Sequence, residues 1–377
     1  MIKKIYITAI ISFFLILFVY PGNTSANKDD KRKAENKKSK AKKEEDITRL
    51  VVLPFAYYTK ETKIAVGGSA YYYSNPGSDS NTRPSYIGID FTFTEMSQMV
   101  FNFITNLYLD QNEYHLLGIL SFSEYPSYFY GIGGGTQETE LEMYTPLNFL
   151  FQINAQKQIS EGFYIGLSYR FWSIIMDDYD PSREIGRGLI TGSRGGLISS
   201  AGLIFTYDTR DSIYYPKEGN LFHLWINRSD ELLGSDFEYT GYYINLRKYI
   251  EVFGNHVLAL QYITSIQSGD PPFQAMPALG GSSLMRGYYY GRYRDTNLVA
   301  AQIEYRMPLI WKFGAVAFCS IGDATENITD INLKDLKYSA GGGLRFFWDE
   351  EKKIVIRLDA GFTQDSSAVI ATVGTAF

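Results

Sequence analysis

The side chains with most scope for chemistry are arginines and carboxylates, several of them at alternate positions of short apolar runs. Glu304 lies where Val299, Ala301, Ile303 and Tyr305 alternate with Ala300, Gln302, Glu304 and Arg306. Arg357 and Asp359 alternate with Ile356, Leu358 and Ala360, and Arg345 occupies a third such segment. A guanidinium presents two parallel N–H donors that match a carboxylate, and away from water each charge needs the other. Arg286 stands outside these runs, in a stretch rich in Gly and Tyr. Glu304, Asp359 and, at a strand end, Asp323 are the carboxylates it can meet. Two readings stay open for Arg345, Arg357 and Asp359: a latch or pathway, or cross-strand pairing that only stabilises a sheet. Arg286 has its own alternative, a solvated arginine in a surface loop.

Other chemistry finds little support. His115, His223 and His256 are too few for a His-rich metal centre, so no metal is expected. Cys319 is the sole cysteine, which excludes an intrachain disulfide and reads as a small buried strand residue. Gly131, Gly133, Gly134 and Gly135 form GIGGG, which falls short of a dinucleotide fingerprint. No G-x-S-x-G elbow is present. The chain reads as no enzyme and as needing no cofactor.

The elements that must position these residues are strands. A period of two puts one set of side chains on each face. Phe163, Ile165, Leu167, Tyr169 and Phe171 alternate with Tyr164, Gly166, Ser168, Arg170 and Trp172 in the same way. Strands are expected near 63–74, 85–96, 98–109, 114–123, 127–135, 144–156, 162–173 and 199–209. The second half adds 219–229, 238–250, 254–268, 297–308, 313–322, 338–348, 353–362 and 367–377. Most hold about ten residues, enough for a tilted strand to cross a bilayer. Short connections (210–218, 251–253, 349–352) alternate with long ones (174–198, 269–296, 323–337), as in outer-membrane barrels with short periplasmic turns. The reading is an all-β fold, a transmembrane antiparallel β-barrel of about sixteen strands, its apolar face on lipid and its charged face on the lumen. Aromatics at 16% and 34 Gly suit interfacial girdles and barrel bends. Phe377, after Val369, Ile370 and Val373, reads as the terminal aromatic of a sorting signal.

Residues 1–26 read as a signal peptide: Lys3 and Lys4, an apolar stretch from Ile5 to Tyr20, then Thr24-Ser25-Ala26. Residues 27–47 read as a charged disordered tail, since KDDKRKAENKKSKAKKEED holds nothing that can build a core. Residues 48–377 are the expected barrel. The formal charge is −5 overall and −10 on residues 47–377, which argues against nucleic acid as a partner. The expected surroundings are outer-membrane lipid, with the barrel as a monomer.

Three motifs together resemble the BamA/TamA superfamily of outer-membrane assembly proteins, the bacterial surface antigen family. DTRDSIYYPKEGNLF, Asp208 to Phe222, is similar to the family's turn, carried here by Asp208, Arg210, Asp211, Pro216 and Gly219. GGSSLMRGYYYGRY, Gly280 to Tyr293, is similar to its loop motif, here Arg286, Gly287 and Tyr288. GGGLRFFW with VIRLDAGF, residues 341–348 and 355–362, is similar to its strand pair near the C-terminus. The resemblance covers residues 48–377. It implies a loop that folds into the barrel and pins Arg286 to the lumen wall. It also implies a part in inserting or moving polypeptides at the outer membrane, with unfolded outer-membrane proteins as substrates. A passive cation-preferring pore or structural surface antigen is the alternative. Two departures matter. A disordered tail of about twenty residues stands where the best-known members carry POTRA repeats, which resembles a POTRA-less branch. Ser320, after Ala317, Phe318 and Cys319, occupies the position where the family carries an acid facing the loop arginine.

Overall fold

The structure is a computed structural model that describes residues 49–59, 63–74, 82–349 and 353–377. The expected signal peptide and charged tail lie outside the described residues.

Strands follow the chain in antiparallel order. They are β1 (Arg49–Thr59), β2 (Lys63–Ser74), β3 (Ser85–Thr94), β4 (Met99–Leu109), β5 (Tyr114–Glu124), β6 (Ser127–Phe129), β7 (Glu142–Ser160), β8 (Phe163–Tyr179), β9 (Gly195–Asp208) and β10 (Gly219–Ser229). Then come β11 (Tyr239–Glu251), β12 (Val257–Gly269), β13 (Ala278–Leu279), β14 (Tyr293–Arg294), β15 (Asn297–Pro308), β16 (Phe313–Thr325), β17 (Lys337–Asp349), β18 (Ile354–Thr363) and β19 (Ser367–Val373). β13 and β14 form a separate two-stranded ladder, bridged at Arg294 to Gly133, and β6 adds three residues beside β7. The other sixteen form the wall, each paired with its neighbours in sequence.

The expected number of wall strands is met by a different set. The strand expected at 127–135 shrinks to Ser127–Phe129, and the rest, including GIGGG, is loop. β1 takes its place in the count. Its sequence, RLVVLPFAYYT, lacks clear alternation and contains Pro54, which argues against an interior strand. The structure resolves the conflict: β1 pairs with β2 along one side, and among the described residues no ladder covers its other side. A proline costs nothing on an edge that donates to no neighbour.

The sheet is inside out relative to a soluble sandwich. Leu167, Phe362 and Val369 are 66%, 61% and 74% exposed, while Arg286, Glu304, Arg345 and Asp359 are each at 0%. Apolar side chains on the outer face require lipid. The sheet also curls round, since Val51 of β1 and Tyr73 of β2 pack with Ile354 of β18 in one buried cluster. No helix among the described residues is long and apolar enough to cross a membrane, which says nothing of strands. Cys319 corrects one expectation. It is exposed on the outer face, because the inward positions of β16 are its neighbours Phe318 and Ser320.

The last strand differs too. β19 stops at Val373, not at 377. Gly374 takes φ +92°, a backbone that side chains disfavour, and the chain leaves the wall there. Phe377 is 3% exposed and clusters with Tyr249, Val257, Ala259 and Ala376. The aromatic expected to close the lipid-facing strand is therefore an interior residue.

Candidate functional site

The segment between β12 and β15 doubles back as the β13–β14 hairpin, and its tip carries Arg286. Arg286 Nη1 donates to Glu304 Oε2 and to Asp359 Oδ2, each at 2.8 Å. Its guanidinium carbon lies 3.4 Å from the centroid of the Phe318 ring. Glu304 sits on β15, Phe318 on β16 and Asp359 on β18, so one side chain touches three wall strands.

Two carboxylates serve four guanidiniums here. Arg306 Nε donates to Glu304 Oε1 at 2.9 Å, and Arg345 Nη2 reaches Glu304 Oε2 at 3.4 Å. Arg345 Nη1 also donates to Asp359 Oδ1, and Arg357 Nη1 donates to Asp359 Oδ2 at 2.9 Å. Arg357 Nη2 ties the cluster to the hairpin through the Ser282 carbonyl at 2.8 Å. Such charges in a water-poor interior are tolerated because each carboxylate accepts several charge-assisted bonds.

The backbone fit is as specific as the charges. Gly287 has φ +117°, and the main chain at Arg286–Gly287 lies directly on Gly361 of β18. A Cβ on Gly361 would collide with the Arg286 carbonyl, and one on Gly287 would come within 2.9 Å of the Gly361 carbonyl carbon. Ser366 Oγ donates to the Gly287 carbonyl at 2.9 Å, and Tyr288 is buried against Tyr293. Ser320, where the resemblance implied an acid, hydrogen-bonds Ser339 at 2.9 Å and does not meet Arg286. Asp323, the third candidate partner, is not used by Arg286. Lys337 on the adjacent strand takes it at 2.8 Å.

A second segment, between β5 and β7, interlocks with the hairpin. Gly133 N donates to the Arg294 carbonyl at 2.7 Å, and Arg292 Nη2 donates to the Thr136 carbonyl at 3.0 Å. Gly134 passes so close to the Asp323–Lys337 pair that no side chain fits. Within GIGGG, Gly134 thus serves close packing, while Gly131 and Gly133 turn the chain at φ +91° and +116°.

At the opposite end, the turn 209–218 also folds inward. Asp208 accepts both prongs of Arg210, at 2.9 and 2.8 Å, and Arg83 Nη1 at 2.6 Å. Asp211 Oδ1 accepts from Lys217 N at 2.8 Å, and Lys353 Nζ reaches Asp211 Oδ2 at 2.9 Å. Burial raises the Asp211 carboxyl, but the Lys353 and backbone hydrogen bonds outweigh it and hold the group below the usual carboxylate range. Pro216 offers its carbonyl to Arg306 Nη1 at 3.0 Å, and Gly219 turns the chain at φ +102°. Tyr214 packs on Tyr73 and Tyr86 across the mouth, and its carbonyl accepts from Thr375 Oγ1 at 3.3 Å.

Arg306 and Arg83 are the contributors that motif reading passed over. The alternation already placed Arg306 on the lumen face beside Glu304. Arg83 had no signal, because its partner Asp208 lies far along the chain. Among the described residues no three His, Cys, Asp or Glu are grouped to hold a metal ion.

The chain matches the model of the Omp85 superfamily domain over residues 81–347, and it belongs to that family. The fold is similar to BamA from Haemophilus ducreyi lacking POTRA domains 1–3, with a TM-score of 0.54 at 13% identity, covering 87% of this chain and 69% of that one. It is also similar to CdiB from Escherichia coli, with a TM-score of 0.57 at 12% identity over 87% of this chain and 62% of that one. CdiB from Acinetobacter baumannii gives 0.53 at 9%, over 87% and 59%. The chain thus spans about three fifths of the two CdiB chains. No curated protein matches by sequence. The protein is an outer-membrane β-barrel of the Omp85 superfamily.

Proposed function

We propose that this barrel assists the insertion of outer-membrane proteins or the passage of polypeptides at the outer membrane, working as a monomer on unfolded clients. The observation that carries the reading is the occupied lumen. The Arg286 hairpin reaches into it, pinned by a fully buried ion cluster, and the turn 209–218 folds inward at the other end. A wide, permanently open pore would be narrowed by such a segment. The edges of β1 and β19, which no ladder joins among the described residues, add support. Unpaired N–H and C=O groups on a strand edge can template an incoming strand. Arg286, Gly287 and Tyr288 act as the latch, with Glu304 and Asp359 as its wall partners.

Depletion followed by an inventory of outer-membrane barrels tests this directly. Loss of specific barrels or of a translocated polypeptide is expected. An unchanged inventory, together with a wide, steady, cation-selective conductance in planar bilayers, would establish the pore instead.

A further inference from the structure

The short turns at the end of the barrel opposite the Arg286 hairpin differ in character around the rim. The β4–β5 turn is Asp110-Gln111-Asn112-Glu113, and the β7–β8 turn is Glu161-Gly162. Outside them Lys157 reaches Glu113 at 3.2 Å in the open. This part of the rim is built for water. The β11–β12 and β15–β16 turns are not. Val252 and Phe253 are 51% and 63% exposed, and Ile310 and Trp311 are 84% and 76% exposed.

These tips continue the lipid-facing wall. Trp311 packs at 5.8 and 6.0 Å from Phe313 and Phe346, which point outward from β16 and β17. Trp311 also holds φ +53°, a backbone that favours glycine or asparagine. The β11–β12 turn meets the same demand with Gly254 and Asn255, at φ +53° and +64°. The ring thus packs on the outward wall through Phe313 and Phe346 and, at 76% exposure, offers its remaining surface to whatever surrounds the barrel. Lys312 follows Trp311, and Lys248 faces outward on β11. Their ammonium groups suit lipid phosphates just where aromatic rings favour the membrane interface.

We propose that the rim at turns 252–256 and 309–312 is seated in the phospholipid headgroup layer of the leaflet on that side, while the rim at turns 110–113 and 161–162 stands in water. The barrel is then gripped on one flank by its turns as well as by its wall.

The test uses full-length protein in vesicles of phosphatidylethanolamine and phosphatidylglycerol. Cys319→Ser supplies the background for Ile310→Cys, Phe253→Cys and Gln111→Cys, each carrying an environment-sensitive fluorophore and checked for heat-shifted gel migration. The probes at 310 and 253 should show blue-shifted emission, quenching by headgroup-attached nitroxide lipid and loss of iodide quenching. The probe at 111 should show the reverse. A label-free arm compares brominated-lipid quenching of tryptophan in the natural protein and in Trp311→Phe, where the quenched fraction should fall. Equal iodide access at 310 and 111, or no fall in Trp311→Phe, overturns the proposal. Shielding at 310 without nitroxide quenching also overturns it, and assigns the surface to contact between copies.

Discussion

Arg306 Nη2 donates to the main-chain carbonyl of Phe377 at 2.9 Å, from the side chain whose Nε holds Glu304 Oε1. The other oxygen of Glu304 accepts from Arg286. The hairpin that reaches into the lumen and the segment beyond β19 therefore share one carboxylate. Arg306 also holds the turn 209–218 through Pro216.

Replacing Arg306 should loosen three elements together. Arg306→Ala leaves Glu304 and two carbonyls short of a donor and should cost ~3 kcal/mol. The temperature at which the unboiled gel form converts to the boiled form should drop, and added protease should gain access to the segment beyond Val373, Phe377 included. Resistance of Phe377 equal to that of the natural protein would show that the apolar cluster alone holds it.

Arg286→Ala leaves Glu304 with Arg306 and Arg345, and Asp359 with Arg345 and Arg357, so it removes a charge-assisted donor without stranding a carboxylate, at about 1.5–3 kcal/mol. The hairpin should become sensitive to protease added to whole cells, and function should fall. Arg286→Lys should rescue only in part, because an ammonium can reach a carboxylate but offers no planar stack on Phe318. Cleavage of the natural protein as fast as that of Arg286→Ala would sink the latch.

Gly361→Ala probes the backbone fit without touching a charge. Its methyl meets the Arg286 carbonyl, and the strain should cost about 1–3 kcal/mol and expose the hairpin to protease. Gly68→Ala on β2, whose new methyl meets the Leu53 carbonyl at an ordinary 3.7 Å, is the control and should be silent. Equal behaviour of the two would refute the close contact as a determinant.

Acid should release the turn 209–218 before the wall. The Asp211 carboxyl is held low, so its contribution is complete above the ordinary value of about 3.9 and is lost as pH falls through the lower folded value. Hydrogen exchange at Lys217 N and Glu218 N, the amides that Asp211 binds, should accelerate in that window. Asp211→Asn should abolish the pH dependence, and acceleration persisting in that variant would point to another group.

Much of this was legible in the sequence, because a lipid-facing wall advertises its period. The runs at 299–306 and 354–362 place Glu304, Arg306, Arg357 and Asp359 on the inner face, as observed. What escaped was set by long-range packing. β1 is an edge, so its proline and its lack of alternation carry no penalty and leave no pattern. GIGGG has the look of a loop because it is one, but its fit against Asp323 and Lys337 depends on strands distant in sequence. Phe377 follows an alternating run, and only the turn at Gly374 reveals that it points inward.

The side chains of Arg286, Glu304, Arg345 and Asp359 have no contact with bulk solvent. Dissolved ions screen exposed charges within about 10 Å at 0.1 M salt, but buried pairs far less. The grip on the hairpin should therefore change far less with ionic strength than the exposed Lys157–Glu113 pair. Transfer of such a barrel from dilute to saline medium should be felt first by its surface charges.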